Sequence, residues 1–264
     1  MIPIYRQLLV AQIQAAAQYR IQAVLWMLFS IIRPVIFLAA WTAVSSAQGG
    51  SVGGYSVADF AGYYIVMTLV GHLTAAWNSF EFEFEIRQGR LSPKLLRPLH
   101  PLHYAIVENQ VFKFSTLPPL AIVLAILALT FQVHFATEWW HVVLFVPAIV
   151  LAWALSFMLG WVVATAAFWL QRVQTVNTLL QRTSFIFAGQ IAPIALMPAA
   201  LQAICYALPF YYILGVPTEI LRGGVSFERA VALIVGQAIW LGVCWAAFLV
   251  AWRRGLRQFS AVGA

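Results

Sequence analysis

Long apolar runs, separated by short clusters of charge, limit the folds that this sequence can adopt. Apolar residues make up 63% of the 264 residues, whereas Asp, Glu, Lys and Arg together make up only 9%. Because a soluble domain carries about 25% charged residues, this chain has too few charges to cover a surface that faces water. A lipid environment removes that requirement. The composition therefore predicts an all-α membrane protein that crosses the bilayer several times.

Six spans of at least about 20 residues can be placed on the apolar runs. Residues 3–22 are punctuated by Arg and Gln, which predicts a helix lying on the membrane surface. No formal charge occurs from Thr183 to Thr218, and four prolines interrupt this stretch. It predicts a fifth span ending near Ala199, followed by a re-entrant hairpin over 200–224. We interpret residues 1–264 as one transmembrane domain, with spans over 23–44, 60–80, 106–131, 142–170, a stretch up to 199, and 230–252.

The basic residues indicate the orientation of the chain. If both termini face the cytoplasm, twelve of the 15 Lys and Arg residues lie on the cytoplasmic side, which satisfies the positive-inside rule. Only Arg222 and Arg229 lie outside, and Arg33 falls within the first span. The net charge of +7 is therefore attributed to membrane topology and not to nucleic-acid binding. The twelve are Arg6, Arg20, Arg87, Arg90, Lys94, Arg97, Lys113, Arg172, Arg182, Arg253, Arg254 and Arg257.

The segment 81–103, between spans two and three, is the most polar part of the sequence. Glu83 and Arg87 have the spacing of an i,i+4 pair, and Gly89 can end their helix. Ser92 followed by Pro93 predicts a capped helix over Pro93–Arg97 at the membrane surface. An ordinary positive-inside loop is the alternative, although a mere connector does not need this punctuation.

These features resemble the small six-span permeases of the ABC-2 transporter class. The most specific match is the run Ile86–Leu91 with Leu95–Leu99; weaker matches are Gln18–Arg20, Trp41, Gly54–Ser56, Tyr63–Tyr64 and Pro101–Leu102. The resemblance implies an N-terminal connecting helix over 3–22, a coupling helix in 81–103 and a re-entrant hairpin between spans five and six. It also implies a homo- or heterodimer of permeases on two ATP-binding subunits, in a bacterial inner membrane.

No residues of the chain itself are predicted to supply energy or catalysis. The sequence has no G-x-x-x-x-G-K-[ST] run, so ATP and Mg²⁺ are expected on a partner subunit. No catalytic set, metal site or cofactor site is predicted. The residues expected to couple to the partner ATPase are Arg87, Arg90, Leu91, Lys94, Leu95, Leu96 and Arg97.

A substrate path is predicted from polar and small residues at helical spacing. Such groups either line a cavity or hydrogen-bond between helices, and both interpretations remain open for any one of them. The path residues are Thr68, His72, Ala75 and Ser79 on span two, and Asn177, Gln181 and Ser184 on span five.

The function predicted is export of a hydrophobic or amphipathic substrate. A membrane enzyme, or a non-transporting scaffold or channel, is the alternative. The roles of three charged residues are left open. Arg33 either pairs internally or reaches the interface, Glu108 is either a partner of Lys113 or an interfacial acid, and Glu219 is expected to pair locally with Arg222.

Overall fold

The computed structural model describes residues 2–18, 20–133, 135–170 and 172–259, and 82% of it is helical. The prediction of an all-α membrane fold is confirmed. The helices are α1 (Ile2–Gln18), α2 (Arg20–Ala47), α3 (Val57–Thr74), α4 (Asn78–Arg87), α5 (Leu91–Leu95), α6 (Pro101–Thr130), α7 (Trp139–Thr165), α8 (Gln174–Phe187), α9 (Ala199–Ala207), α10 (Val216–Arg222) and α11 (Phe227–Gln258). Short 3-10 turns cover Ala166–Phe168 and Ile194–Leu196, and a π-helical turn covers Tyr211–Gly215.

Within the described residues, five helical segments are long and apolar enough to cross a membrane. They are 21–47, 57–87, 101–130, 139–168 and 227–258. Each has at least 27 residues, about 40 Å of helix at 1.5 Å per residue, which exceeds the thickness of the hydrocarbon core. A pair of helices bent by 83°, Ala199–Ala207 and Tyr211–Arg222, brings the number to six. This pair covers the predicted re-entrant hairpin.

The fifth span, predicted to end near Ala199, is not a continuous helix up to that residue. Helix α8 has only 14 residues, about 21 Å, and residues 188–198 contain irregular backbone with one 3-10 turn. Gly189 adopts a left-handed conformation with φ of 84°, which only glycine reaches without strain. Pro193 and Pro198 then prevent the helix from resuming until α9.

Span two is also broken, whereas the sequence predicted one helix over 60–80. Helix α3 begins with a capping box between Ser56 and Asp59 and ends at Thr74. Ala75 has extended geometry, and Asn109 of α6 donates a hydrogen bond of 3.2 Å to its carbonyl. The chain becomes helical again at Asn78, so that α4 is a separate element at the C-terminal end of the span.

The segment after α4 forms a tight corner. Helix α4 ends at Arg87, and Gly89, with φ of 67°, lets the Arg90 amide return to the Glu85 carbonyl at 2.8 Å. Helix α5 begins at Leu91 after Arg90, with no side-chain cap. The predicted capping of Pro93–Arg97 by Ser92 is therefore wrong, because Ser92 already lies inside the helix.

The N-terminal and outer connections differ from the predictions in their bounds. Helix α1 covers 2–18 of the predicted 3–22, and residue 19 lies outside the described ranges. The Gly-rich connection between α2 and α3 contains a two-stranded antiparallel hairpin, β1 (Ser51–Val52) and β2 (Tyr55–Ser56).

Helix α3 is the central helix of the fold. About two thirds of its residues are buried, whereas less than a third of the most apolar stretch is buried in each of the other four candidate spans. An aromatic cluster formed by Phe82, Trp161, Phe248 and Trp252 joins α4, α7 and α11. By contrast, α8 contains no buried residue.

Candidate functional site: a membrane cavity and its cytoplasmic corner

A cavity of about 1030 Å³ lies between α2, α3 and α6 and extends to α1, α4 and α8. Its wall is mostly apolar and aromatic, with few polar groups. The lining residues that matter below are Gln12, Trp26, Phe29, Arg33, Tyr64, Thr68, Gly71, His72, Ala75, Trp77, Phe80, Glu81, Glu108, Phe112, Ser115, Gln181 and Gln190. The volume is that of a pocket for an organic molecule of drug size.

Four of the seven predicted path residues line this cavity: Thr68, His72, Ala75 and Gln181. Ser79 and Asn177 instead join α4 to α8, since the Ser79 hydroxyl donates to the Asn177 side-chain oxygen at 3.1 Å. Ser184 is not among the lining residues. The predicted polar faces of spans two and five are therefore in contact through Ser79 and Asn177. The role of each residue in transport stays a prediction.

His72 is held between α3 and α6. The Thr116 hydroxyl lies 3.2 Å from its Nε2, and the Lys113 carbonyl oxygen lies 3.4 Å away. The ring therefore both contacts α6 and forms part of the cavity wall. The preceding residue on α3, Gly71, also lines the cavity and faces open space, and a Cβ added there would meet no atom within 4 Å.

Two acidic side chains lie at the end of the cavity nearest the corner formed by α4 and α5. Glu81 of α4 and Glu108 of α6 interact electrostatically, and both line the cavity beside Trp77. Glu108 is therefore not the partner of Lys113, which is buried with its ammonium 5.5 Å from the centre of the Trp153 ring. Sequence reasoning missed the acidic pair because the two residues belong to different helices and share no local spacing.

Arg33 lines the same cavity at the middle of α2. Its guanidinium lies 4.9 Å from the centre of the Phe185 ring, a cation–π contact that joins α2 to α8. Of the two alternatives left by the sequence, an internal contact is the one observed. The partner is an aromatic ring and not an acid.

The irregular segment 188–193 lies at the other end of the cavity and is fixed by three aromatic side chains. Tyr63 donates to the Gly189 carbonyl at 2.8 Å, while Tyr64 and Trp41 donate to the Ile191 carbonyl at 2.6 and 2.8 Å. Backbone freed by a broken helix requires such partners at membrane depth. Gln190, between these carbonyls, faces the cavity.

The re-entrant hairpin contains a second polar cluster. Tyr211 donates to Glu219 at 2.7 Å, and Arg222 donates to the Tyr55 hydroxyl at 3.2 Å. Among the described residues, Glu219 and Arg222 are not within ion-pair distance, so the predicted local pair is wrong. The sequence could not show that the hydroxyl groups of Tyr211 and Tyr55 would hydrogen-bond to Glu219 and Arg222.

The predicted coupling residues divide into exposed and buried groups. Arg87, Arg90, Leu96 and Arg97 are exposed, and the side chain of Leu96 is 89% exposed. Leu91 is fully buried, so it supports the corner from inside and is not available for a partner. Lys94 and Leu95 are half-buried.

Ion pairs and a cation–π contact stabilise this corner. Lys94 of α5 forms an ion pair with Glu85 of α4, and the predicted pair of Arg87 with Glu83 is present at 3.5 Å. The Arg90 guanidinium lies 5.4 Å from the centre of the Phe84 ring. Helix α5 is therefore attached to α4 as one unit.

Two histidines lie at the start of α6, shortly after this corner. His103 is hydrogen-bonded to the Tyr5 hydroxyl, which joins α1 to α6. His100 accepts the Leu102 amide at 3.2 Å and caps α6. Burial, and then the neighbouring His103, lowers the pKa of His100 below its ordinary value.

Comparison with known protein families identifies the family to which this chain belongs. The model of the family described as ABC-2 family transporter protein matches residues 31–263. The chain belongs to this ABC-2 transporter family. No curated protein matches the chain.

Membership in the ABC-2 family identifies the chain as a multi-pass permease component of an ABC transporter, which works with an ABC ATPase subunit. The matched region includes the cavity-lining residues of α3, α4, α6 and α8 and the corner formed by α4 and α5. The whole of α1 and the first residues of α2 lie before it.

Proposed function

We propose that this ABC-2 permease exports a hydrophobic or amphipathic substrate from the cytoplasm. ATP, with Mg²⁺, is hydrolysed on a separate nucleotide-binding dimer, and this chain contributes no catalytic residue. The observation that carries the proposal is the cavity, because α4 forms part of its wall and is joined directly to α5. A force applied to α5 therefore reaches the cavity wall.

The lining of the cavity supports the substrate class. Aromatic side chains from α2, the Ala75–Trp77 break and α6 present large apolar surfaces, as Trp26, Phe29, Trp77 and Phe112 do. A few polar groups, including Thr68 and Gln181, are available to orient a bound molecule. A strongly hydrated sugar would find few partners on such a wall.

The exposure of α8 supports pairing with a second permease, either an identical or a related chain. It contains no buried residue, although it carries Arg182 next to apolar side chains. An arginine facing lipid is unfavourable unless protein or water covers it. The other exposed apolar helix faces are left to membrane lipid.

The proposed transport cycle begins when ATP binds to the ATPase dimer. The ATPase dimer closes on Arg87, Arg90, Lys94, Leu95, Leu96 and Arg97, with Leu91 supporting the corner, and α1 provides a second contact. The cavity then changes its access from the cytoplasm to the outside, as ATP binding shifts the balance between two conformations. Both termini lie in the cytoplasm, and the membrane is the bacterial inner membrane.

The test measures access to the cavity and does not require the substrate. In a background where the buried Cys205 and Cys244 are replaced by Ala, Gly71→Cys places a thiol on the cavity wall. Inverted vesicles containing the permease and its ATPase are treated with a membrane-impermeant methanethiosulfonate reagent. We expect ATP with vanadate to change the labelling rate at this position at least about fivefold, because the population of the open state shifts.

Gly242→Cys is the matched control. It is a glycine on α11 that also faces open space, but it does not line the cavity. Its labelling is expected to be insensitive to ATP. An equal rate at Gly71→Cys with and without ATP would contradict alternating access.

A further inference from the structure

Glu83 is a buried acid that neither the path nor the coupling surface uses. It lies on α4 with 5% of its surface exposed. One carboxylate oxygen accepts the Val173 amide at 3.0 Å, and the other lies 3.5 Å from Arg87. Val173 is the residue that precedes α8, and it is buried as well. The carboxylate thus satisfies a free amide at the positive end of α8.

A second bond from α4 reaches α8 one turn further along. Ser79 precedes Glu83 by four residues and therefore lies on the same face of α4. Its hydroxyl donates to Asn177, four residues after Val173. Because the two contacts join the elements at two points one turn apart, they fix both the position and the rotation of α8 relative to α4.

Besides α4, the described residues that contact α8 include Phe37 and Arg33 of α2, both against Phe185 in its last turn. Among the described residues, α4 is the only element that shares more than a couple of close backbone approaches with α8. The opposite end of α8 leads into the irregular segment 188–193, which is attached to α2 and α3 through side chains. A displacement of α4 will therefore be followed by the first turns of α8.

Helix α8 in turn contributes to the cavity. Gln181 lies on its wall, and Phe185 supports the cavity-lining Arg33. At the other end of the connection, α4 is joined to α5 through the Gly89 corner and the ion pair between Glu85 and Lys94. A continuous series of bonded contacts runs from α5 through α4 to α8.

We propose that Glu83 is a positioning residue that transmits movement of the coupling helix α5 to α8 and so to one wall of the substrate path. This inference rests on the proposed function. It assigns to one buried carboxylate a role distinct from contact with the ATPase and from contact with substrate. Without Glu83, α3 and α4 still respond to the ATPase, whereas α8 keeps only the bond between Ser79 and Asn177 and follows much less.

The experiment compares two reporter thiols in the permease–ATPase complex, in the same background lacking Cys205 and Cys244. Gln181→Cys reports on α8, and Gly71→Cys reports on α3. The measurement is the change in methanethiosulfonate labelling rate caused by ATP with vanadate. In the Glu83→Ala variant we expect the change at Gln181→Cys to fall at least about fivefold, while Gly71→Cys keeps its response and ATP hydrolysis continues.

Conservative variants separate transmission from simple structural support. Glu83→Gln keeps an oxygen that can accept the Val173 amide, so at least about half of the response at Gln181→Cys should remain. Glu228→Ala, which removes an exposed acid from the first turn of α11, is the matched control and should leave both responses unchanged. Loss of the response in Glu83→Gln as complete as in Glu83→Ala would overturn the hydrogen-bonded link.

Two other outcomes overturn the proposal. Retention of both responses in Glu83→Ala shows that α8 moves without this link, and loss of both shows a general structural effect. If Glu83→Ala does not assemble, Glu83→Asp keeps the buried charge but withdraws it by one methylene, and the same difference between the reporters is required. Failure of the proposed function itself is distinguishable, because Gly71→Cys would then not respond even with Glu83 present.

Discussion

At the scale of single residues, His100 joins a protonation equilibrium to the start of a membrane helix. Its Nδ1 accepts the Leu102 amide, and its ring packs 4.6 Å from the Trp252 ring, measured between centres. Only the neutral ring can accept at Nδ1. The pKa of His100 is lowered by burial and then by His103, so the folded protein binds this proton less readily than the unfolded chain does.

We therefore expect stability to fall as the pH drops below the ordinary histidine pKa of about 6.5, because the unfolded chain then takes up a proton that the folded one resists. The loss continues until the pH passes the lowered pKa of the folded state. Asn in the variant His100→Asn can cap the helix but does not titrate in this range. The drop in thermal midpoint between pH 7.5 and 5.5, measured in detergent, should be smaller in the variant, and an equal drop would contradict the assignment.

Residue contacts within one helix could be predicted, whereas contacts between helices could not. The Glu83–Arg87 pair follows from i,i+4 spacing and is present. Pairing of Glu81 with Glu108, and of Glu83 with the Val173 amide, depends on how α4 packs against α6 and α8. Ser92 has the local pattern of a cap, but the Gly89 corner starts α5 at Leu91, one residue before it.

At the scale of elements, broken helices distinguish this fold from a simple bundle of six spans. Helix α8 stops at Phe187, and donors from α2 and α3 stabilise the irregular segment after it. The prolines and the apolar length of this region predicted that it was broken. They could not predict where α8 ends, because that depends on the hydroxyl groups of Tyr63 and Tyr64 and the indole of Trp41 reaching the Gly189 and Ile191 carbonyls.

Removal of one of these donors tests the contribution of the segment to stability. Tyr63→Phe leaves the buried Gly189 carbonyl without its donor, which is expected to cost about 1–3 kcal/mol. Tyr212→Phe is the control, since the Tyr212 hydroxyl makes no hydrogen bond among the described residues. Unfolding in mixed micelles by a graded amount of denaturing detergent measures the difference, and equal stability of the two variants would contradict this role.

At the scale of the whole molecule, the described residues leave α8 exposed, with no buried residue along its length. Positive-inside bias and apolar length predicted the membrane fold and the number of candidate spans, because both depend on composition along the chain. They carry no information on which helix packs at the centre. The burial of α3 and the exposure of α8 are consequences of tertiary packing.

The exposed face of α8 leads to the prediction that two permeases meet there. Leu179 is 67% exposed on this face and lies one turn before Arg182. In the background lacking Cys205 and Cys244, Leu179→Cys should form a disulfide-linked dimer when membranes are oxidised, because a second copy of α8 brings the thiols together. Ile239→Cys on α11 is 63% exposed and is the control that should stay monomeric. Electrophoresis without reductant gives the result. Dimers from both positions would indicate random collision in the membrane, and no dimer from Leu179→Cys in a chain expressed alone would favour a related but different permease as the partner of α8.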